Sequence, residues 1–235
     1  MALRSGRTHR GGAPVTELLD TRVTVQQYID AGWETLYMVG VSLFIGSLAG
    51  IPLALLLVIT RPGGLRPQPV TYQVTNILVN IIRSVPFIIL MVAIVPLTRA
   101  ITGTSIGTTA ALVPLTIYIA PFIARLIEAS LLEVGPGILE AAESMGATMW
   151  QTIRWFMLPE ARASIILALT TSTVGLIGAT AMAGTIGGGG VGDLAISYGY
   201  QQFDTFAMLA TVIILIIVVQ GIQSLGNWLA RRARD

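Results

Sequence analysis

The sequence predicts an all-α membrane protein with five transmembrane helices, and three observations carry that prediction. Hydrophobic residues make up 54% of the chain and charged residues only 11%, against about 25% charged in a typical soluble domain. The charges also cluster: eight lie before Thr35, eight between Arg125 and Arg162, and four in the last five residues. Charge-free stretches run between the clusters at 35–60, 84–98, 100–124, 163–192 and 205–230. A helix needs about 20 apolar residues to cross the hydrocarbon. Four stretches suffice alone, and 84–98 suffices if its helix begins before Arg83.

The residue inventory excludes several kinds of chemistry. With no cysteine, disulfides, thiolate metal sites and thiol nucleophiles are all ruled out. The single histidine, His9, sits in a polar N-terminal stretch, which leaves no histidine-based metal site or triad. All fourteen basic residues are arginine, and a phosphate-binding loop of the Walker type needs a lysine. No cofactor is expected on this chain, and any ATP that drives it binds elsewhere. The first 34 residues lack the apolar core of a secretory signal and read as a tail.

Along the chain, Thr24 to Glu34 reads as a short interfacial helix, with Tyr28 and Trp33 at headgroup level. The first span follows at Thr35–Ile59, where Gly40, Gly46 and Gly50 favour close helix approach. Thr60-Arg-Pro-Gly-Gly ends it. The second span, Val74–Leu97, contains Arg83 and Pro86. Arg83 reads either as a snorkelling interfacial anchor or as a group near a pathway. The third span, Ala110–Leu126, carries Pro114 and Pro121, which are expected to kink it.

The fourth span, Ser164–Ile186, runs into a glycine-rich stretch ending at Gly192. Gly187, Gly189 and Gly192 satisfy G-x-G-x-x-G, but they follow a membrane span and not a strand, so a flexible membrane-edge loop is expected instead. The fifth span, Phe206–Leu229, is closed by Arg231, Arg232 and Arg234. Those arginines place the C-terminus in the cytoplasm, and five spans then put the N-terminus outside. The four arginines of the N-terminal tail run against that rule.

One charged island stands between the spans. Pro136 suits the first turn of a helix, and Ile138, Leu139, Ala142 and Met145 recur on one face, with Glu140 and Glu143 on polar flanks. Gly146 is placed to end that helix. Thr148 and Gln151 match a capping box, and Trp150, Ile153 and Met157 share a face of a second helix that Leu158-Pro159 closes. The hairpin reads either as an interfacial pair lying on lipid or as a lever docked in a groove of a soluble partner.

Glu140-Ala141-Ala142, three residues, Gly146, nine residues, then Phe156-x-Leu158-Pro159 resembles the signature of binding-protein-dependent ABC importer permeases, with Phe156 in the place of an isoleucine. Six further stretches resemble the small five-span branch, the methionine ABC importer permeases. These are Trp33-Glu-Thr-Leu, Thr60-Arg-Pro-Gly, the run from Asn80 to Leu90, the run from Gly103 to Gly107, the run from Ala120 to Arg125, and Tyr198-Gly-Tyr200.

The resemblance covers residues 33–230. It implies a type I ABC importer transmembrane domain over 35–230, with a coupling loop at 133–160, a tail and interfacial segment over 1–34 and a basic tail over 231–235. It implies residence in the bacterial inner membrane and a homodimer on an ABC ATPase homodimer that binds ATP and Mg. A periplasmic or lipid-anchored methionine-binding protein would feed it, with lipid around it and no nucleic acid. Glu140, Ala141, Ala142, Glu143, Gly146, Leu158 and Pro159 would couple the chain to the ATPase. Met182 aligns with the family's narrow point of the pathway, and reads equally as a packing residue; Arg83 is the second pathway candidate. The reading expected is transport of methionine, L- and D-, by alternating access. The alternative is another amino acid or a quaternary amine carried by the same class of permease.

Overall fold

The computed structural model describes residues 21–234; the arginines and histidine before Thr21 lie outside the described residues. Within them the chain is helical, in the order α1 (Val25–Thr60), α2 (Pro69–Ser84), α3 (Phe87–Ala93), α4 (Val95–Thr102), α5 (Thr108–Leu132), α6 (Pro136–Ser144), α7 (Met149–Gln151), α8 (Leu158–Gly184), α9 (Gly190–Leu194) and α10 (Thr205–Arg232). A π-helical segment at Thr152–Met157 joins α7 to α8 without a break, and another at Ala195–Tyr200 extends α9. Four helices are long and apolar enough to span a membrane, and α2 with α3 makes a fifth as a bent pair.

Helix α1 starts at a capping box between Thr24 and Gln27 and runs 36 residues, about 54 Å at 1.5 Å per residue. The interfacial helix expected over 24–34 is therefore not separate from the first span. The charged turn has partners: the Glu34 carboxylate accepts from the Gly190 N–H at 2.7 Å, and the Thr35 hydroxyl accepts from the Val191 N–H at 3.0 Å. These bonds also tie the glycine-rich segment, expected as a flexible membrane-edge loop, to α1 where it enters α9 at Gly190. Its Gly187, Gly189 and Gly190 all adopt positive φ, a backbone region open to glycine at no steric cost.

The second span is the largest departure from expectation. It is not one helix over Val74–Leu97, because the chain bends by 100° between α2 and α3. Pro86 has no N–H to continue the ladder, and it drives Val85 into extended backbone at φ −85° and ψ 124°. In α5, by contrast, Pro114 and Pro121 lie inside an unbroken helix and are buried. The buried stripe Leu115, Ile119, Ile123, Ile127 and Leu131 along α5 forms the centre of the core. Helix α1 approaches it through Gly46, whose Cβ would fall 2.3 Å from Ile119, and Gly50, whose Cβ would fall 2.6 Å from the Ala120 carbonyl. Gly40, the third glycine of that span, faces open space.

Many hydroxyls in the spans are satisfied locally: Ser130, Thr170, Ser172, Thr173 and Thr211 each donate to a carbonyl four residues back, which reduces the cost of placing them in lipid. The buried Ser42 hydroxyl of α1 has no such partner.

One polar network ties α2 to α5. Arg125 donates to Glu128 at 2.6 Å, to Asn80 at 3.0 Å and to Asn76, and Glu128 is buried. Removing Arg125 strands a buried carboxylate, a loss of about 3–5 kcal/mol. Arg125→Ala should accordingly lower the thermal midpoint of the detergent-solubilised protein by several degrees. Arg125→Lys should recover only part of it, since an ammonium cannot reproduce the guanidinium fork.

The two ends of the bundle differ. At one end Asp204 caps α10, accepting from the Ala207 N–H at 2.8 Å, the Arg22 N–H at 2.9 Å and the Thr21 hydroxyl at 3.0 Å. Burial alone would raise its pKa, but those donors outweigh burial and hold it below the ordinary carboxylate value. At the other end lie Arg61, Arg66, Arg154, Arg162, Arg231, Arg232 and Arg234, together with α6.

Candidate functional site

Helix α6 stands at the arginine-rich end, between the α5 terminus and the turn into α7. Pro136 occupies its first turn, as the sequence predicts. Ile138 and Leu139 pack against the core, and Ala142 is fully buried. Glu140, Ala141, Glu143 and Gly146 are exposed, Glu143 at the edge of the buried face. Two expectations about this helix change. Of the paired alanines, only Ala141 is available to a partner. Met145, assigned to the apolar face, is 66% exposed, because α6 ends at Ser144 and Met145 turns with the cap.

That cap is a full Schellman motif. Gly146 sits at φ +72°, its N–H donates to the Glu143 carbonyl at 2.9 Å, and the Ala147 N–H donates to the Ala142 carbonyl at 3.0 Å. The expected capping box follows immediately, with Thr148 and Gln151 bonding reciprocally. Beyond it the helix does not stop at Leu158-Pro159. It widens into the π-helical segment, where the Leu158 N–H reaches back five residues to Ile153. The segment passes into α8 without a break, Pro159 lies in the first turn of α8, and the helix continues to Gly184. Leu158 packs on the core and Pro159 is exposed in the first turn of α8.

Ile153 and Met157 are buried, whereas Trp150 and Trp155 are 63% and 68% exposed. Trp150 thus leaves the face assigned to it, since three residues are about 300° round a helix and the large ring falls on the outer edge. The Arg154 guanidinium lies 5.8 Å over the Trp155 ring. A groove of about 350 Å³ separates α6 and α7 from the Arg61–Leu65 turn, with Arg61 on one wall and Glu143 on the other. The exposed surface here presents Met145, Trp150, Arg154 and Trp155, residue types enriched where proteins meet, beside the acids Glu140 and Glu143.

The second candidate region lies deeper. Met182 is 50% exposed and lines a groove of about 350 Å³ with Phe87 of α3, Tyr118 of α5, and Gly175 and Gly178 of α8. Arg83 is exposed in the last turn of α2 and is not among the groove's lining residues. The structure therefore does not bring the two pathway candidates into one site. Phe87 and Tyr118 meet edge-on with centroids 5.2 Å apart, and Tyr118 stacks on Phe122 at 6.3 Å. These aromatic residues were not singled out from sequence as a site. Their walls come from separate helices, and only the bend at Pro86 carries Phe87 to the groove.

Residues 42–235 match the family described as "Binding-protein-dependent transport system inner membrane component". The chain belongs to that family. Among similar permeases of the family is the probable D-methionine transport system permease protein MetI of Vibrio cholerae serotype O1. It is 52% identical over 204 residues, covering 87% of this chain and 91% of the relative. The D-methionine transport system permease protein MetI of Escherichia coli K12 is 49% identical over 152 residues, 65% of this chain and 70% of the relative. A chain in a structure titled "Inward facing conformations of the MetNI methionine ABC transporter: CY5 SeMet soak crystal form" superposes with a TM-score of 0.86 at 42% identity. The match covers 90% of this chain and 99% of that one. As an inner membrane component of a transport system, this permease has the multi-pass helical architecture described above, and no catalytic constellation is required of it.

Proposed function

We propose that this permease carries methionine, L- and D-, into the cell, driven by an ABC ATPase that is a separate chain. The observation that carries the reading is 52% identity to a D-methionine permease across 87% of the chain. The functional unit is a homodimer on a homodimer of ATPases, which hold the ATP and Mg, with a methionine-binding protein delivering cargo from outside. Seven arginines at the α6 end, against Arg22 and Arg99 at the other, support a cytoplasmic position for α6 and for the C-terminus.

The geometry supports a lever mechanism. Exposed Glu140, Ala141, Glu143 and Met145 dock on the ATPase, with Glu140 and Glu143 facing basic residues there, while Ile138, Leu139 and Ala142 hold α6 to the permease. The Gly146 turn joins α6 directly to a continuous 36-residue helix, Met149–Gly184, about 54 Å long. Met182 rides near its far end. Closure of the ATPase subunits moves α6, and the stiff helix carries that movement to the groove, opening the pathway alternately to each side.

The test is reconstitution with the ATPase and the binding protein. Labelled methionine should accumulate only with ATP, and this chain alone should hydrolyse none. Accumulation of another amino acid or a quaternary amine in place of methionine would replace the cargo, and ATP turnover by the isolated chain would overturn the division of labour.

A further inference from the structure

Thr171, Gly175, Gly178 and Met182 recur along α8 at spacings of four, three and four, which aligns them on one face of the helix. Beside the first part of that face runs a groove of about 260 Å³ with a mixed lining, Leu167, Thr170, Thr171 and Val174 on one wall and Gln223 and Asn227 of α10 on the other. Beside the second part lies the groove of Phe87, Tyr118 and Met182. The amides of Gln223 and Asn227 are exposed within a membrane-spanning helix. Both stand in the last turns of α10, at the arginine-rich end, where water reaches amides that acyl chains leave without a partner. The two grooves follow one another along α8 with no lining residue in common, the one toward the arginine-rich end carrying the two amides and the deeper one without any.

Gly178 is the informative residue of the deeper groove. A Cβ added there meets nothing within 4 Å, and one added at Gly175 meets only the Phe122 ring at 3.8 Å. Glycine inside a helix is less stable than alanine by roughly 0.5–1 kcal/mol. At Gly46, Gly50 and Gly226 that cost secures close packing, because a Cβ would fall within 2.6 Å of a neighbour. At Gly178 no such contact exists within the chain, as at Gly40 and Gly221, and Gly178 differs from those two in lining a groove.

The groove also borders the bend at Val85–Pro86, and non-helical backbone at membrane depth is tolerated where it is buried in protein or lines a cavity. Its lining carries no charged side chain, which disfavours an acidic or basic cargo side chain. It offers an aromatic pair and a thioether on irregular walls, which suits a flexible, unbranched, polarisable side chain. Its volume falls within the range of small-molecule sites, about 300–1,000 Å³.

We infer that this groove is a subsite for the side chain of methionine in transit, so that the permease itself selects cargo. The inference rests on the methionine-transport reading. The ammonium and carboxylate of the cargo stay on the side of the Gln223 and Asn227 groove, and the thioether lies against Tyr118, Phe87 and Met182 over Gly178.

The chain has no cysteine, so Gly178→Cys gives a single reactive thiol in the transporter assembled with its ATPase. Maleimide labelling should slow about threefold when L-methionine is present at twice its dissociation constant for the groove, as mass action requires. L-Arginine at the same concentration should leave the rate unchanged. An unchanged rate with saturating methionine overturns the subsite. So does a thiol that reacts in the separated chain but never in the assembled transporter, which would assign the groove to the contact between two copies. Gly178→Leu, whose Cβ meets nothing within 4 Å, should lose methionine uptake, and full uptake counts against the subsite. If the unsubstituted transporter takes up no methionine in the same assay, the functional reading fails; if it does and labelling is insensitive, only the subsite fails.

Discussion

Gly146→Val should abolish coupled methionine uptake while leaving the permease inserted and folded. Gly146 holds φ at +72° in the turn between α6 and α7, and a residue with a Cβ in that region costs roughly 1–2 kcal/mol. A β-branched side chain is worse still. That is too little to unfold a domain, whose stability is about 5–15 kcal/mol, yet the strain falls entirely on one hinge. The hydrogen bonds from Gly146 to Glu143 and from Ala147 to Ala142 must distort to relieve it, which re-aims α6 relative to the long helix that follows. Uptake by the reconstituted transporter is the measurement, and a fall of at least about tenfold, or 1.4 kcal/mol in barrier terms, is expected. Gly146→Asn is the control, because asparagine tolerates the left-handed region. A Cβ at this position meets nothing within 4 Å, so the backbone angle alone separates the two variants. Equal uptake by Gly146→Val and the unsubstituted permease would sink the hinge argument.

How much of this was legible in the sequence depends on what each feature draws upon. The capping box at Thr148, the proline at the start of α6 and the glycine at its end are local chemistry, and each is found where the residues place it. Prolines are the instructive failure. Pro52, Pro114, Pro121 and Pro159 all lie within helical segments, whereas Pro86 breaks one. Nothing adjacent in sequence separates them. Pro114 and Pro121 are held by the packed core on either side, and the π-helical segment precedes Pro159, while Pro86 lies beside an open groove with nothing to hold the helix straight. Tertiary partners likewise explain α1, whose charged turn reads as a boundary until Gly190 and Val191 supply donors to Glu34 and Thr35. The coupling residues were legible as a motif, but the assignment of faces was not. Ala142 is buried on the apolar face its spacing assigns, whereas Met145 leaves that face because a helix of nine residues ends before its periodicity can place the last one. The groove was hidden for a different reason: Phe87, Tyr118 and Gly178 are distant in sequence and meet only once the second span bends.

The largest effect on folding should come from Gly184 and Gly192, where α8 and α9 pack backbone against backbone. A Cβ on Gly192 would fall 2.4 Å from the Ala181 Cα and 2.6 Å from its carbonyl oxygen. A Cβ on Gly184 would fall 2.3 Å from the Asp193 nitrogen and 2.6 Å from the Gly192 carbonyl carbon. These neighbours are main chain, so no rotamer change relieves the overlap and the two segments must separate. Separation carries Gly190 and Val191 away from Glu34 and Thr35, so the damage spreads to α1. Overpacking a tight site costs about 1–3 kcal/mol and sometimes more, and here the lost hydrogen bonds add to it, at about 1.5–3 kcal/mol for one to a carboxylate. Gly192→Val and Gly184→Val should each fail to give a monodisperse peak in detergent, with Gly192→Ala intermediate. Gly40→Ala, on a helix face with open space before it, should be neutral or stabilising by up to about 1 kcal/mol. A wild-type thermal midpoint for Gly192→Val would show that α8 and α9 can part freely. The mechanism requires the opposite: the long helix transmits the movement of α6 only if its far end is anchored, and these two glycines are what let α9 and α1 hold it there.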